Sequence, residues 1–284
     1  MGGAGFGRQV CGSRAEASSR EWLVADGLGG FAMGTVGGLR TRRYHGLLIV
    51  ATQPPIGRWL ALASLDPVLV LGDRRVRLAT HEWASGAVHP QGHVHLATFE
   101  LADGVPRWRW AVGDVVLERE LAMVHGSSAV GVAHRLVRSG DAGAVRLELE
   151  AWAGGVTDPP PAEEVVAGAR RRARAVIAQA GPADETGAAL ALAADQFVVA
   201  GPTVVAGYPW FGDWSRDTMT SYEGLFLCTG RLDEGRALLE RAAALVSEGM
   251  LANTADVGAR VQHRRRRPVV PARGGAPRPS GGWG

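Results

Sequence analysis

The sequence contains no lysine and only two cysteines. All 31 basic residues among its 284 residues are arginines, and 40 residues are glycine. This bias is typical of translation from a very GC-rich gene. Cys11 and Cys228 lie far apart in the sequence, and two cysteines do not indicate the disulfide framework of a small secreted domain.

Long apolar runs are also missing. The best run, residues 59–71, is interrupted by Asp66 and Pro67 and is shorter than the roughly 18 residues that indicate a transmembrane helix. The N-terminus lacks the basic and then apolar pattern of a secretory signal. We therefore expect no membrane segment, and a cytoplasmic location is the default prediction.

Acidic residues are missing from the C-terminal end. The net charge is +3, but residues 257–284 contain seven arginines and no acid, so residues 1–256 carry a net charge of −4. The basic character therefore belongs to a tail. Its arginine run at residues 264–267 is the only feature that favours a nucleic-acid-binding protein. Because a block of like charge is usually a solvated tail, we expect no nucleic-acid partner.

The first half of the chain has the pattern of β-structure. Hydrophobic residues make up 46% of the sequence, which excludes a disordered, collagen-like or coiled-coil protein. Turn signals such as Asp103-Gly104 and Gly113-Asp114 separate short apolar runs. These predicted strands are residues 22–25, 47–51, 59–71, 76–78, 93–101, 107–112, 115–124, 129–137 and 145–150. They predict an antiparallel β-sandwich over residues 21–150.

The pattern changes after residue 150. A proline-rich break at residues 158–161 precedes four segments with helical composition or spacing, which are residues 162–180, 190–199, 218–228 and 233–247. Glu163 and Glu164 near the start of the first segment favour a helix N-terminus. The second half is therefore predicted to form helical hairpins, with an aromatic loop at residues 203–217.

Two short motifs are weak. Residues 27–32 approximate a dinucleotide-binding fingerprint, but no helix follows to bind a pyrophosphate, so a glycine-rich loop close to another surface is favoured. His89, His93 and His95 lie near one another, and two of them would share one face of a strand. Because no third ligand is evident, we expect a surface strand and no metal.

The densest group of polar and aromatic residues is found in residues 208–217. It includes Trp210, Asp213, Trp214, Arg216 and Asp217. Aromatic rings stack on the C–H faces of sugars, and carboxylate and guanidinium groups bind hydroxyls. The alternative is a buried aromatic corner with one Arg–Asp pair, and composition alone leaves both interpretations open.

Two long motifs identify a family resemblance. Residues 21–31, 34–36 and 41–48 resemble the N-terminal domain of prokaryotic glycogen debranching enzymes of the amylo-α-1,6-glucosidase type. Residues 206–219 resemble the start of their catalytic (α/α)6 toroid, which is related to glucoamylases. The resemblance implies a multi-domain protein with an antiparallel β-sandwich followed by the first helical hairpins of the toroid. It also implies a glycogen or branched α-glucan partner and no metal or organic cofactor.

The resemblance assigns roles to particular residues. Arg216 and Asp217 are expected to hold a terminal glucose, Trp210 and Trp214 to form an aromatic wall, and Asp213 to belong to the same substrate site. A second loop, with Arg42, Arg43, Tyr44 and His45, either approaches the substrate or ties the two domains together. Family members cleave α-1,6 branch points with a general acid and a general base. Neither residue can be assigned in this chain.

The chain departs from the family pattern twice. A stretch on the order of one hundred residues, a large part of a domain, is expected to be missing near residues 145–154, and most helices of the toroid are expected to be missing after residue 256. Codons that permit residues 258–274 also permit, read one base later, a peptide resembling the family's continuation. The tail is therefore predicted to be out of frame. The alternative is a genuine disordered basic tail that binds anions.

The predicted organisation has five parts. Residues 1–20 are an N-terminal lead, 21–150 a partial sandwich, 151–202 a helical linker region, 203–256 the start of the catalytic domain and 257–284 the basic tail. The sequence favours a debranching-enzyme-like protein in a truncated, inactive form. The alternative is a non-catalytic glycan-binding or regulatory module that keeps sugar affinity through Trp210, Trp214 and Asp217.

Overall fold

The computed structural model describes residues 5–141, 143–154 and 161–254. The predicted tail at residues 257–284 lies outside the described residues. The strands of the first half are β1 Gly5–Phe6, β2 Glu21–Ala25, β3 Phe31–Thr35, β4 Gly46–Gln53, β5 Ile56–Leu71, β6 Arg74–Arg77, β7 Thr80–Glu82, β8 Val88–Gln91, β9 Leu96–Ala102, β10 Val105–Val112, β11 Val115–Met123, β12 Val130–Arg138 and β13 Val145–Ala153.

The later elements are mostly helices. Two short helices, α1 Arg8–Cys11 and α2 Arg14–Ser18, precede β2. The helices of the second half are α3 Ala162–Ala180, α4 Glu185–Asp195, α5 Ser215–Tyr222 and α6 Leu232–Ala244, and they are accompanied by the short strands β14 Val198–Val199, β15 Thr203–Val204, β16 Val246–Ser247 and β17 Met250–Leu251. No helix within the described residues is long and apolar enough to cross a membrane.

Two large antiparallel sheets form most of the first half, and β7 pairs with β8 in a separate two-stranded sheet. One has the strand order β1-β9-β10-β11-β12, and the other has the order β13-β5-β4-β3-β2 with β6 also paired to β5. Alternate residues of each strand point inward. Trp22, Leu62 and Leu69 of one sheet share a core with Trp108 and Leu121 of the other. The antiparallel β-sandwich followed by helices is therefore confirmed.

Most predicted strands are confirmed with shifts of a few residues at their ends. The strand predicted at residues 93–101 is wrong at its start, because Gly92–His95 form a 3-10 helix and β9 begins at Leu96. His93 is buried rather than on a surface strand. Its backbone N–H donates to the Thr80 hydroxyl at 2.9 Å, so this segment is bound to β7.

The predicted helices differ more in their bounds. The helix at residues 162–180 is confirmed as α3, which ends at Gly181 with a left-handed backbone (φ 58°). The helix predicted at residues 190–199 instead spans Glu185–Asp195. Its start is set by Asp184, whose carboxylate caps the Gly187 N–H. Val198–Val199 form a strand with Thr203–Val204. The predicted helix at residues 218–228 starts earlier, at Ser215, and continues beyond α5 as a π-helix over Glu223–Leu227.

Helix α3 fastens the helical half to the sandwich. Val165 and Val166 pack with Val105 and Ala122 of the five-stranded sheet. Gly131 makes this close approach possible, because a Cβ at that position would lie 2.7 Å from Val165. Within the predicted lead, Gly5–Phe6 join this sheet, since β1 pairs with β9. Strand β13 continues through Ala153, past the predicted sandwich boundary at residue 150.

Candidate functional site: an aromatic loop against the sandwich

The loop at residues 208–217 is closed by backbone hydrogen bonds. Ala206 N donates to Gly212 O at 2.8 Å, and Phe211 N donates to Gly207 O at 2.8 Å. Helix α5 begins directly after the loop, and Ser215 N donates to Asn253 O at 3.0 Å. The backbone of the loop is therefore held at both ends.

Tyr208 anchors the loop to the sandwich. Its ring makes edge contact with Phe31 at 5.1 Å between ring centroids and lies 5.9 Å from Phe197. Burial, together with the nearby Asp26 carboxylate, raises the pKa of Tyr208 above its ordinary value. The phenol therefore stays protonated, and Tyr208 serves as a packed anchor.

Trp210 and Trp214 line an open pocket of about 390 Å³ between the loop and the sandwich. Trp210 lies 5.3 Å from the Tyr44 ring and is 49% exposed, while Trp214 contacts Phe211 at 6.2 Å. The sandwich contributes Arg43, Tyr44, Ile56, Gly57 and Arg58 to the same pocket. Flat apolar faces and guanidinium donors thus meet in one concave surface.

Arg216 and Asp217 line a different pocket. It has a volume of about 380 Å³ and includes Thr220 and Ser221 of α5. The Arg216 Nη2 atom lies 3.4 Å from Asp217 Oδ2, and the Arg216 guanidinium lies 5.9 Å from the centroid of the Trp214 ring. The two pockets therefore adjoin at the Trp214–Arg216 contact, but they do not merge into one cavity.

Asp213 faces neither of these pockets. Its carboxylate accepts a hydrogen bond from the Thr203 hydroxyl and lies 3.7 Å from Arg241 Nη2. These contacts connect β15 to α6. The structure therefore places Asp213 in a framework position, behind the loop that the sequence motif assigns to substrate.

The second predicted loop, residues 42–45, also contains both pocket residues and residues that only hold the framework. Arg43 and Tyr44 line the aromatic pocket, whereas Arg42 and His45 bind Glu21 of β2. His45 is fully buried. Burial lowers its pKa even though Glu21 opposes the shift. Arg42 and His45 therefore position the loop, and Arg43 and Tyr44 form its pocket wall.

Arg58 is a site residue that sequence analysis missed. Its guanidinium lies 5.6 Å from the ring centroids of both Phe31 and Tyr208, and its Nη2 donates to Phe211 O at 3.1 Å. It stands on β5, far in sequence from the aromatic loop. Only the pairing of β5 with β4, which puts Arg58 opposite Ala51, brings it to the site.

The glycine-rich segment connects the two halves of the molecule. Residues 27–30 form the turn between β2 and β3, so a strand follows where a dinucleotide-binding loop would need a helix. Gln196 Oε1 accepts from Ala25 N at 2.7 Å, and Ala200 N donates to Gly27 O at 2.8 Å. Gly29 has φ +94°, and a Cβ there would lie 2.6 Å from Pro55 O. The expected close approach of this loop to another surface is confirmed.

Asp26 lies at this connection and is fully buried. Its Oδ1 accepts from Leu28 N at 2.7 Å and from Gly30 N at 2.9 Å, while Oδ2 has no hydrogen-bond partner among the described residues. Burial raises the pKa of Asp26, although the two N–H groups oppose the shift.

No group of three histidine, cysteine, aspartate or glutamate side chains suited to a metal occurs in the described part of the chain.

Two family models match the chain, one in each half. The model described as the N-terminal domain of glycogen debranching enzyme matches residues 20–154, and the model described as amylo-α-1,6-glucosidase matches residues 192–266. The chain belongs to the glycogen debranching enzyme family. No curated protein and no solved structure matches the chain.

The debranching-enzyme matches can be compared with the predicted organisation. The first covers the β-sandwich from β2 through the end of β13 and leaves out β1. The second begins within α4, before the predicted start at residue 203, and ends after the predicted boundary at residue 256. The aromatic loop lies inside the second match, while Arg43, Tyr44 and Arg58 lie inside the first. The candidate site is therefore shared by both parts of the debranching-enzyme sequence.

Proposed function

We propose that this debranching-enzyme-family chain binds branched α-glucan, such as glycogen or a limit dextrin, at the two adjoining pockets of the aromatic loop. The observation that carries the proposal is the half-exposed Trp210 ring, held 5.3 Å from Tyr44 across the contact between loop and sandwich. A flat ring fixed in an open pocket suits the C–H face of a glucose residue. The family supports the choice of α-glucan over other sugars.

Hydrogen-bonding groups surround the aromatic faces. Arg43 and Arg58 border the Trp210 pocket, and Arg216 and Asp217 border its neighbour. Guanidinium groups donate several hydrogen bonds in a fixed plane, and carboxylates accept them, so the two charges suit sugar hydroxyls. A glucan chain passing over Trp214 would reach both pockets, with Asp217 and Arg216 binding one glucose.

The reaction of the family requires catalytic carboxyl groups in addition to a binding site. Hydrolysis of an α-1,6 bond uses two carboxyl groups, one to protonate the glycosidic oxygen and one to activate water, roughly 6.5–9.5 Å apart in inverting enzymes. Among the described residues, none that lines the aromatic pocket is a carboxylate, and Asp217 is the one carboxylate that lines the adjoining pocket. We therefore propose that these pockets bind glucan with little turnover. A cytoplasmic location, which fits a storage polysaccharide, remains a prediction.

The binding proposal is tested by affinity electrophoresis in gels that contain glycogen. Replacing Trp210 by alanine should weaken retention about three- to tenfold, as expected when one aromatic contact is lost, and Asp217→Asn should weaken it as well. Met219→Ala, on α5 and outside both pockets, is the matched control. Unchanged retention of both site variants would show that glucan does not bind at this loop.

Turnover is measured separately, as glucose released from a branched limit dextrin. Loss of acid–base assistance alone slows a reaction by about 10²–10⁴-fold, so the purified chain should release glucose far more slowly than a complete family member. The non-catalytic alternative predicts retention without turnover. Glucose release at a rate near that of a complete enzyme would show that the chain holds a competent acid and base.

A further inference from the structure

A second group of exposed aromatic rings lies where β7 meets β13 of the six-stranded sheet. Trp83 is 49% exposed and Trp152 is 50% exposed. His81 stands between them, with its ring centroid 6.2 Å from each tryptophan ring. The three rings thus form a continuous row on the surface, here called the Trp83–Trp152 row.

Hydrogen bonds fix the orientation of the row. His81 Nε2 lies 2.6 Å from Asp66 Oδ2, and Trp152 Nε1 donates to the same oxygen at 2.9 Å. Trp83 Nε1 donates to His89 O at 2.8 Å. Each ring therefore has a polar atom bound to the protein, while about half of each tryptophan stays exposed to solvent.

Asp66 is suited to orienting the rings of His81 and Trp152. It lies on β5 with its side chain 10% exposed. Burial alone would raise the pKa of Asp66, but hydrogen bonds from His81 and Trp152 bring the pKa below its ordinary value. The carboxylate is therefore charged near neutral pH. A charged acceptor strengthens both N–H hydrogen bonds, so little ring motion is lost when a ligand binds.

The row is distant from the aromatic loop. Asp66 and Arg58 both belong to β5, and eight residues at about 3.3 Å each separate them by about 26 Å. Polar groups continue the surface beyond Trp152, since Glu150 stands two residues earlier on the same strand and pairs with Arg77. Flat rings beside charged hydrogen-bonding groups form a surface of the kind that binds polysaccharides.

We propose that Trp83, His81 and Trp152 form a second α-glucan-binding surface that holds a chain of the same polymer whose branch reaches the aromatic loop. The choice of α-glucan rests on the proposed function, while the site itself rests on the oriented rings. Two sites on one polymer raise the overall affinity without new contacts, because binding at one site raises the local concentration of glucan at the other.

The test measures binding of maltoheptaose by titration calorimetry and of glycogen by affinity electrophoresis. The wild-type chain should bind maltoheptaose at two sites. Trp83→Ala combined with Trp152→Ala should abolish one of them and weaken glycogen retention by about tenfold or more. Trp59→Ala is the matched control, because Trp59 is 49% exposed on β5 and makes no ring contact with the row.

Conservative variants separate a binding role from a folding role. Trp152→Phe keeps a flat ring and loses the hydrogen bond to Asp66, so it should weaken binding less than Trp152→Ala. Trp83→Phe should behave in the same way. Thermal unfolding and far-UV circular dichroism report the fold of each variant. If the double alanine variant does not fold, the two phenylalanine variants and the single alanine variants decide.

Each outcome has a distinct meaning when Trp210→Ala is measured in parallel. If only Trp210→Ala weakens binding, the second surface is wrong and the proposed function stands. If only the row variants weaken it, the second surface stands and the loop assignment is wrong. If the wild type binds neither probe, both proposals are wrong. If the row variants change the oligomeric mass but not glucan affinity, the row is a contact between copies of the chain and the inference is wrong.

Discussion

The sandwich and the helical half bury their apolar residues to very different extents. In the sandwich, side chains from both sheets form one core in which Leu69 and Leu121 are fully buried. In the helical half, Val198, Val204, Phe226 and Leu238 form a small separate cluster. Leu190 is 65% exposed and Leu232 is 58% exposed. Because buried apolar area supplies most folding free energy, the sandwich should be the more stable part.

Ion pairs partly compensate for the small apolar core of the helical half. Asp195 at the end of α4 is nearly buried and accepts hydrogen bonds from Arg172 of α3 and from Arg231. Glu120 of the sandwich similarly pairs with Arg170 of α3. The sandwich has buried ion pairs of its own, since Glu118 contacts Arg107, Arg109 and Arg135, but it adds them to a large apolar core. The loss of one ion pair should therefore harm the helical half, whose apolar core is small.

The largest effect is expected from Asp195→Ala. It leaves the guanidinium of Arg231, whose side chain is 6% exposed, without its closest acidic partner. Removing one member of a buried ion pair typically costs about 3–5 kcal/mol. Urea unfolding followed by far-UV circular dichroism should show loss of the helical transition. Asp233→Ala on exposed α6 is the control and should change stability by less than about 0.5 kcal/mol. Equal, small effects would mean that the ion pair does not hold α4.

Next in size is Leu69→Ala in the sandwich core. Leu69 is fully buried on β5, and truncating a buried leucine typically costs about 2–5 kcal/mol through lost contact and the cavity left behind. Leu190→Ala, at the exposed surface of α4, should cost less than about 0.5 kcal/mol. The measurement is the free energy of unfolding from denaturant titration. Comparable losses at both positions would show that Leu190 is covered in solution.

The sequence predicted the sandwich well because its strands are short, apolar and separated by turn signals. Strands β10 and β11 follow the predicted bounds closely, since Asp103-Gly104 and Gly113-Asp114 mark their turns. Strand β3 was missed because residues 31–35 include glycine and lack alternation. The α4 helix was placed too late, because Phe197, Val198 and Val199 extend the apolar pattern although they form a turn and a strand.

The site was only partly predictable. The aromatic motif identified the loop, but residues 210–214 precede α5 while Arg216 and Asp217 belong to it. The last two line a separate pocket with other residues of α5, which the sequence motif alone does not reveal. Spacing could not show that Asp213 lies beside Arg241, or that Arg58 reaches the aromatic rings, since those contacts arise from tertiary packing.

A smaller effect is expected in how the stability of the sandwich depends on pH. Burial beside Arg119 lowers the pKa of His134, in the sandwich, from 6.5 to about 3. The unfolded chain therefore binds a proton that the folded chain rejects, and stability present above pH 6.5 is lost as the pH falls toward 3. We expect His134 to contribute about 1–3 kcal/mol of this loss. His134→Gln should reduce the slope between pH 7 and 5, with exposed His89→Gln as control. An unchanged slope in His134→Gln would exclude this source.

The smallest effect on stability is expected at the exposed apolar face of the helical half, but self-association should change clearly there. Leu190, Ala191 and Leu225 border an open groove of about 720 Å³ between α4 and the π-helix. Replacing Leu190 and Leu232 together by serine removes little buried area, so the free energy of unfolding should change by less than about 0.5 kcal/mol. Exposed apolar patches promote association, so sedimentation velocity should show less self-association in the double variant, with Leu101→Ser on the sandwich as control. A loss of more than about 2 kcal/mol would instead mean that these leucines are buried in the folded protein in solution, and the contrast between the two halves would then be smaller than their exposure indicates.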